Sequence, residues 1–326
     1  MPSVLVIGSG ASGVHFALST LRKGYEVTMI DVGRTKASPL RPGETLNDLK
    51  SGLPDPAAYF LGPQFEAVVH PGSHTEYYTK YYGFPPSKSN VFTAPSTFEF
   101  EAKGFEPLFS FARGGLAEAW TAGVYPLNDH ELAQFPFRYA DIEPHYGEVA
   151  RRIGVSGADD DLGRFFPRHA HLRKPLDLDA HSRHLVARYG RRRKPAGRAE
   201  CYLGHSRVAT LSSDTPERQG CIYCGRCLWG CPLEALYTPS ITLRECMTYP
   251  NFHYVPDVYV SHFRYDDRRR VTGVLAQSLN GGSSREMTAD RFVLAAGTLS
   301  SSKIVLESIF QATGNIVRLG GLMDNR

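Results

Sequence analysis

The sequence predicts an α/β fold of the doubly wound, Rossmann-like type, with a cysteine-rich insertion in the middle of the chain. Two units carry this prediction: a strand–glycine turn–helix–strand unit over residues 3–31 and a strand–turn–helix unit over residues 290–314. Four cysteines lie between them, within residues 221–231. A chain of 326 residues with 42% hydrophobic content is long enough for one large domain or two ordinary ones.

The first unit begins with the buried-strand pattern SVLVIG, followed by the turn GSGASG, the helix VHFALSTLRKG and the second strand YEVTMID. Gly8, Gly10 and Gly13 form G-x-G-x-x-G directly after the strand, and Asp31 closes the second strand. This order is typical of a dinucleotide site, whereas a lone glycine-rich turn in an ordinary α/β unit is the alternative.

Each of these residues has a physical role in such a site. Gly8 permits the tight turn, Gly10 lets the backbone approach a pyrophosphate, and Gly13 lets the helix pack close to the strand. The helix N-terminus offers free N–H groups to the phosphates. Asp31 is placed to accept a hydrogen bond from ribose hydroxyls.

The segment 34–112 has no clean periodicity and is rich in Pro, Gly and aromatic residues. Its aromatic run TEYYTKYYGFPP (75–86) is either packing for an irregular segment, which we favour, or the lining of a channel. ARGGLAEAWTAGVYPL (112–127) follows, and its paired glycines Gly114 and Gly115 bring the backbone close to a ligand or to another element.

Residues 128–219 predict helices at HELAQF (130–135) and DIEPHYGEVARRIG (141–154). The basic run GRRRKPAGR (190–198) favours a solvated loop over an anion or membrane patch. A formal net charge of +4 without a Lys/Arg stripe gives no reason to expect nucleic acid as a partner. The absence of G-x-S-x-G excludes the usual serine-hydrolase signature.

Three strands are predicted after the cysteines: FHYVPDVYVSHF (252–263), RRRVTGVLAQSL (268–279) and DRFVLAAG (290–297). The last strand leads through Ala-Ala-Gly into a helix, SKIVLESIFQATG. A nicotinamide enzyme needs only the first glycine-rich turn, whereas flavoproteins commonly bring a late strand back to their cofactor. The second unit therefore favours FAD.

Four segments together, and in this order, resemble the glucose–methanol–choline (GMC) oxidoreductases: VIGSGASG with DVG, ARGG…W, YADIEPHYGEVARRIGV and FVLAAGTLSSSKIVLES. The resemblance is strongest to the bacterial branch that acts on sugars, polyols or larger alcohols. It implies a FAD enzyme that oxidises CH–OH to a carbonyl. The resemblance also implies FAD contacts: Gly8, Gly10, Gly13 and Asp31 at the ADP half, Gly114 and Gly115 at the flavin and pyrophosphate, Val260 at the adenine, and Ala296 and Gly297 at the flavin-side phosphates.

Two departures from the family stand out. The family's catalytic His, paired with a second His or an Asn, lies near the C-terminus of a longer chain, and no residue here matches that motif, so no catalytic residue is assigned. We therefore expect only the N-terminal FAD-binding portion, with the substrate domain largely missing. Two explanations are open: the sequence is a fragment, or a complementary C-terminal subunit supplies the missing half as a partner. Leu116, Ala117 and Glu118 also follow the glycine pair where relatives usually have Ser or Thr.

The resemblance divides the chain into three parts. Residues 1–127 form the first part of the FAD domain, 128–234 form a cap or linker with the cysteine-rich loop, and 235–326 form the second part of the FAD domain.

The run GCIYCGRCLWGCP places Cys221, Cys224, Cys227 and Cys231 at C-x2-C-x2-C-x3-C with Pro232 after them, as in bacterial ferredoxins. Three interpretations are open: an iron–sulfur cluster, with Cys201 or Cys246 as alternative fourth ligands; a zinc site; or packed thiols without metal. A cluster would pass electrons from the flavin to an electron-acceptor protein. The rival function is an iron–sulfur flavoprotein subunit for electron transfer without substrate chemistry of its own.

The sequence contains no run of 18 apolar residues and no recognisable signal peptide. Closely spaced thiols suit a metal or cluster in a reducing compartment better than a set of disulfides. We therefore expect a cytoplasmic protein without a membrane span, with export alongside a partner as the alternative.

Overall fold

The computed structural model describes most of the chain, namely residues 2–35, 43–65, 67–68, 84–95, 98–103, 107–191, 201–279, 281 and 283–322. Most of the aromatic run (75–83) and most of the basic run (192–198) lie outside these residues. The α-helices are α1 (Ala11–Leu21), α2 (Leu46–Gly52), α3 (Pro56–Leu61), α4 (Ser89–Phe92), α5 (Tyr139–Ile153), α6 (Ala180–Arg191), α7 (Pro239–Cys246) and α8 (Thr298–Thr313).

The strands of the described residues form two sheets. They are β1 (Ser3–Ile7), β2 (Glu26–Ile30), β3 (Phe252–Val255), β4 (Val258–Tyr265), β5 (Val271–Ser278), β6 (Arg285–Met287) and β7 (Arg291–Leu294). The first sheet has the order β3-β2-β1-β7, and its pairs are all parallel. The second sheet is antiparallel, with the order β4-β5-β6. The predicted α/β fold with a parallel sheet is confirmed.

The parallel sheet is covered on both faces, as its strand sequences require. Side chains alternate along β1, so Val4 and Val6 pack with α1 and α7, whereas Leu5 and Ile7 point to the other face. That other face is covered by β4 and β5, together with Ile304 of α8. The doubly wound prediction therefore needs a correction, because an antiparallel sheet takes much of the place of helices on the second face.

Two predicted elements differ in the structure. HELAQF forms turns instead of a helix. The Asn128 side chain accepts hydrogen bonds from the backbone N–H groups of His130 and Glu131. Pro136, directly after the segment, disfavours the helical conformation at Phe135. FHYVPDVYVSHF divides into β3 and β4 at Pro256 and Asp257, where Asp257 has φ +61°. A residue in this conformation ends a strand and redirects the chain into the second sheet.

The middle of the chain packs against both flanking parts. Ala150 and Ile153 of α5 lie in one cluster with Ala122 from the preceding segment and Tyr237 from the following one. The three-part division at residues 127 and 234 stays a prediction. Among the described residues, no helix has the length and apolarity that a membrane crossing requires.

Candidate nucleotide-binding site

A cavity of about 300 Å³ opens where β1, β2 and β7 end. Parallel strands present their carboxyl ends at one edge of a sheet, which is where ligands bind in α/β folds. Of the nine positions predicted to contact the cofactor, eight line this cavity and Gly13 does not: they are Gly8, Gly10, Asp31, Gly114, Gly115, Val260, Ala296 and Gly297.

The three glycines of the first turn are required for different reasons. A Cβ on Gly8 would lie 2.5 Å from the carbonyl oxygen of Ala295, and a Cβ on Gly13 would lie 2.0 Å from the carbonyl oxygen of Gly8. These two residues therefore allow close packing within the protein. A Cβ on Gly10 would have no atom of the described residues within 4 Å, apart from those of Gly10 itself and its chain neighbours. Its missing side chain leaves space on the cavity side, where a ligand can approach the backbone.

Ser9 joins three parts of the site and was not singled out by the sequence analysis. Its side chain is 1% exposed. The hydroxyl donates a short hydrogen bond to Asp31 Oδ2 and accepts one of 2.9 Å from the backbone N–H of Gly114. A signal was present in the sequence, since Ser9 is the polar residue between the first two glycines of the turn.

Asp31 lies at the end of β2 in an environment that disfavours its charge. Burial raises the pKa of this carboxyl to about 6, against the opposing effect of hydrogen bonds from Ser9, from the Gly33 N–H and from Tyr254. The Tyr254 hydroxyl lies 3.5 Å from Asp31 Oδ2. Asp31 is thus an acceptor whose protonation changes close to neutral pH.

The strand–turn–helix unit over residues 290–314 provides a helix N-terminus at the same cavity. Gly297, with φ +81°, immediately precedes α8, whose first N–H groups and positive dipole end favour a negatively charged group. Ser300, in the first turn of α8, lines the cavity, and its buried Oγ has no hydrogen-bond partner among the described residues. A buried hydroxyl without a partner is rare in a native protein, so a ligand is the natural partner for it.

The paired glycines begin a segment that other elements hold in place. Gly114 and Gly115 have φ +93° and +66°, a conformation that favours glycine. The Glu118 side chain lies directly against Gly114, and its Oε1 accepts a hydrogen bond of 3.1 Å from the Ser240 N–H at the start of α7. The buried Lys88 ammonium donates to the Glu118 carbonyl oxygen. Glu118, one of the residues after the glycine pair that depart from the family pattern, therefore caps α7.

The cysteine run lies in an anchored loop outside this cavity. Arg226, fully buried within the run, donates a 3.1 Å hydrogen bond to the Glu44 carbonyl, and the Trp229 indole N–H donates to the Phe60 carbonyl at 3.0 Å. All six cysteines, which are all among the described residues, are free thiols.

Burial raises the pKa values of Cys221 and Cys227, and the other thiols of the run raise them further, so the four lie near one another. However, the part of the chain that the structure describes contains no group of three or more His, Cys, Asp or Glu side chains able to hold a metal ion. The expected iron–sulfur or zinc site at Cys221, Cys224, Cys227 and Cys231 is not supported. The spacing of the four cysteines in the sequence does not determine whether their side chains converge on one point.

Comparisons with known proteins agree with the fold. Residues 203–318 match the family model GMC oxidoreductase. The chain is 25% identical to paromamine 6'-oxidase of Streptomyces fradiae, over 94% of this chain and 49% of the relative. It is also 25% identical to 6'''-hydroxyparomomycin C oxidase of Streptomyces lividus, over 94% of this chain and 50% of the relative.

The chain thus spans about half the length of the curated relatives it matches. Among solved structures, pyridoxine 4-oxidase from Mesorbium loti has a similar fold, with a TM-score of 0.52 and 14% identity over 94% of this chain and 52% of that protein. The family match within residues 203–318 and the two curated relatives show that this chain is similar to GMC oxidoreductases.

Proposed function

We propose that this protein is a FAD-dependent oxidoreductase that oxidises a CH–OH group of a sugar, polyol or other alcohol, and that this chain holds the FAD. One observation carries the proposal: eight positions predicted from the sequence, spread over residues 8–297, meet around one cavity at the carboxyl ends of parallel strands.

The residues around the cavity fit a dinucleotide. Apart from its chain neighbours, Gly10 leaves its side free of atoms of the described residues within 4 Å, and α1 and α8 both begin at the cavity, so their N–H groups can receive phosphate oxygens. Asp31 provides an acceptor for ribose hydroxyls. Ser300 provides a buried hydroxyl that has no partner within the described residues.

When bound, FAD would supply the flavin N5 atom that accepts hydride from the alcohol carbon. The residues of this chain then have binding and positioning roles. Ser9 keeps the Asp31 carboxyl and the Gly114 loop in fixed relation. Phe98, Phe109 and Phe111 form an apolar wall of the cavity and exclude water from it.

The group that takes the hydroxyl proton is not assigned to this chain. We propose that a complementary C-terminal segment or subunit supplies it, since the chain covers about half the length of its curated relatives. The relatives' names point to sugar-type substrates, so an aminoglycoside alcohol such as paromamine is the first substrate to test.

The decisive experiment measures FAD per chain in protein purified without oxygen, for the wild type and for Gly10→Ala. Gly52→Ala is the matched control, because a Cβ there also meets no atom within 4 Å but lies on α2, away from the cavity. The proposal expects stoichiometric FAD in the wild type and the control, and strongly reduced FAD in Gly10→Ala. Equal FAD in all three proteins would contradict the assigned site.

Substrate oxidation is tested separately. Paromamine and a simple hexose are offered to the FAD-loaded protein with an artificial dye as electron acceptor, with and without the C-terminal half of a relative. Dye reduction that requires this added half supports the proposal that this chain holds FAD and that a C-terminal segment supplies the group that takes the hydroxyl proton. FAD binding without dye reduction under either condition favours an electron-transfer subunit instead.

The sequence also raised the possibility of an electron relay through an iron–sulfur cluster at the cysteine run. The arrangement of the thiols in the described residues does not favour such a cluster. Iron and acid-labile sulfide, measured on the same anaerobic preparation, test it. Three or four irons per chain with matching sulfide would establish a cluster. Stoichiometric FAD without iron would leave the run as packed thiols.

A further inference from the structure

A second cavity, of about 520 Å³, lies beside the nucleotide-binding site and has a different character. The segment 113–118 separates the two: Gly114, Gly115, Leu116 and Ala117 line the first cavity, whereas Arg113 and Glu118 line the second. The second cavity is more polar than the first, and its ionisable lining includes four basic side chains, Arg34, Lys88, Arg113 and Arg244.

Two of the four cations already have partners. The Lys88 ammonium donates to the Glu118 carbonyl, and Arg244 forms an ion pair with Glu234. Glu118 and Glu234 are the only acidic residues of this lining within the described chain. Four cations and two carboxylates leave a formal excess of two positive charges in this lining. Arg34 and Arg113 are the two cations of the lining whose side chains have no partner among the described residues.

Backbone hydrogen bonds hold these two arginines side by side. The Arg34 N–H donates to the Phe111 carbonyl and the Arg113 N–H donates to the Arg34 carbonyl, each at 2.9 Å. Neither guanidinium has a hydrogen bond or an ion pair among the described residues. Arg113 is exposed, so water can solvate it, but the Nε atom of Arg34 is buried and has no partner in the described chain.

A buried guanidinium N–H without an acceptor is costly, because it loses water and gains nothing in return. An arginine presents its donors as a rigid planar fork that matches phosphate and carboxylate oxygens. An anion that bridges Arg34 and Arg113 would satisfy the buried Nε and neutralise the excess charge.

We propose that Arg34 and Arg113 form a binding site for a phosphate group, either free phosphate or the phosphate of a small phosphate monoester, distinct from the FAD site. The excess of two charges matches the dianion that a phosphate group carries near neutral pH. The volume of the second cavity, about 520 Å³, accommodates more than a phosphate alone. This inference does not depend on the alcohol-oxidising activity, since it rests on the second cavity.

The test measures binding of inorganic phosphate and of glucose 6-phosphate to the FAD-loaded protein by isothermal titration calorimetry. The variants are Arg34→Gln, Arg34→Lys and, as the control, Arg188→Gln, an exposed residue of α6 that does not line the cavity. We expect Arg34→Gln to weaken binding at least about tenfold, Arg34→Lys to weaken it less, and Arg188→Gln to change it less than about threefold.

Tighter binding of the sugar phosphate than of free phosphate identifies a phosphate monoester as the ligand, and equal binding identifies free phosphate. Unchanged binding in Arg34→Gln, or no binding of either probe at 10 mM (about the weakest affinity that matters here), would overturn the proposal. Release of FAD by the probes would also overturn it, because the arginines would then belong to the cofactor site. Thermal melting of each variant checks that the fold is intact.

Discussion

The backbone N–H of Gly114 donates a 2.9 Å hydrogen bond to the hydroxyl of Ser9, which lies 105 residues earlier in the chain. The same hydroxyl donates to Asp31. One side chain thus fixes the glycine turn, the acid at the end of β2 and the paired-glycine loop relative to one another. Because all three line the proposed FAD cavity, its shape depends on a residue that need not contact the cofactor.

Replacement of Ser9 by Ala should weaken both the fold and the cofactor site. The Gly114 N–H would lose its acceptor in a buried position, and Asp31 would lose a donor that stabilises its charged form, so the pKa of Asp31 should rise. We expect a loss of about 1–3 kcal/mol in the free energy of unfolding, measured in urea, and weaker FAD binding. Ser51→Ala, on the exposed face of α2, is the control. Equal stability of the two variants would show that the Ser9 bridge does not matter.

Gly10 and Gly13 should respond differently to alanine although they belong to one motif. A Cβ at Gly13 would collide with the Gly8 carbonyl at 2.0 Å, so Gly13→Ala should unfold at clearly lower urea concentration. A Cβ at Gly10 meets no atom of the described residues within 4 Å apart from its chain neighbours, so Gly10→Ala should keep the stability of the apoprotein and lose FAD affinity. Chemical unfolding and fluorescence titration with FAD separate the two effects. A destabilised Gly10→Ala apoprotein would count against the assigned role.

The buried carboxyl of Asp31 should make stability depend on pH. Its pKa is raised from 3.8 to about 6 in the folded state, so the folded protein binds more protons and unfolding becomes easier as pH rises from about 4 to about 6. Asp31→Asn removes this cost, because the amide does not ionise. The free energy of unfolding of the variant minus that of the wild type should therefore increase by up to about 3 kcal/mol over that pH interval. Unfolding in urea at several pH values measures this difference. A difference that stays constant with pH would contradict the raised pKa.

The same carboxyl should make FAD binding depend on pH in the opposite sense. The ionised carboxylate is the better acceptor for a ribose hydroxyl, so the affinity of the wild type for FAD should rise with pH through about 6. Asp31→Asn should bind FAD more weakly at pH 8 and show no such step. FAD titrations between pH 5 and 8, a range that spans the expected step, test this. Parallel profiles for the two proteins would exclude Asp31 as the acceptor.

Glu118 should contribute to stability as the cap of α7. Its Oε1 accepts from the Ser240 N–H, and an acid at a helix N-terminus also interacts favourably with the helix dipole. We expect Glu118→Ala to lose about 1 kcal/mol or somewhat more, and Glu118→Gln, which keeps an acceptor oxygen, to lose less. Thermal or chemical unfolding measures the loss of stability in each of the two variants. Identical losses would mean that packing against Gly114 alone accounts for the effect.

The glycine turn, β1, α1 and β2 could be predicted because their signals are local. A short continuous apolar run marks the buried strand β1, and G-x-G-x-x-G marks a turn at a helix N-terminus. The helix predicted at 130–135 was wrong, and Pro136, just outside the segment, disfavours it because a proline restricts the helical conformation of the residue before it. The cysteine spacing suggested metal binding, but spacing does not determine whether thiols converge on one point.

The sequence by itself determined the parallel α/β fold, the positions of the glycines and the family resemblance, because these depend on residue type at short spacing. The tertiary structure decided the rest. It revealed Ser9 as the bridge, Glu118 as a helix cap, an antiparallel sheet as the cover of one face, and Arg34 and Arg113 as neighbours in a second cavity. Each of these relations joins residues far apart in the chain, and such contacts form only when the core brings distant segments together.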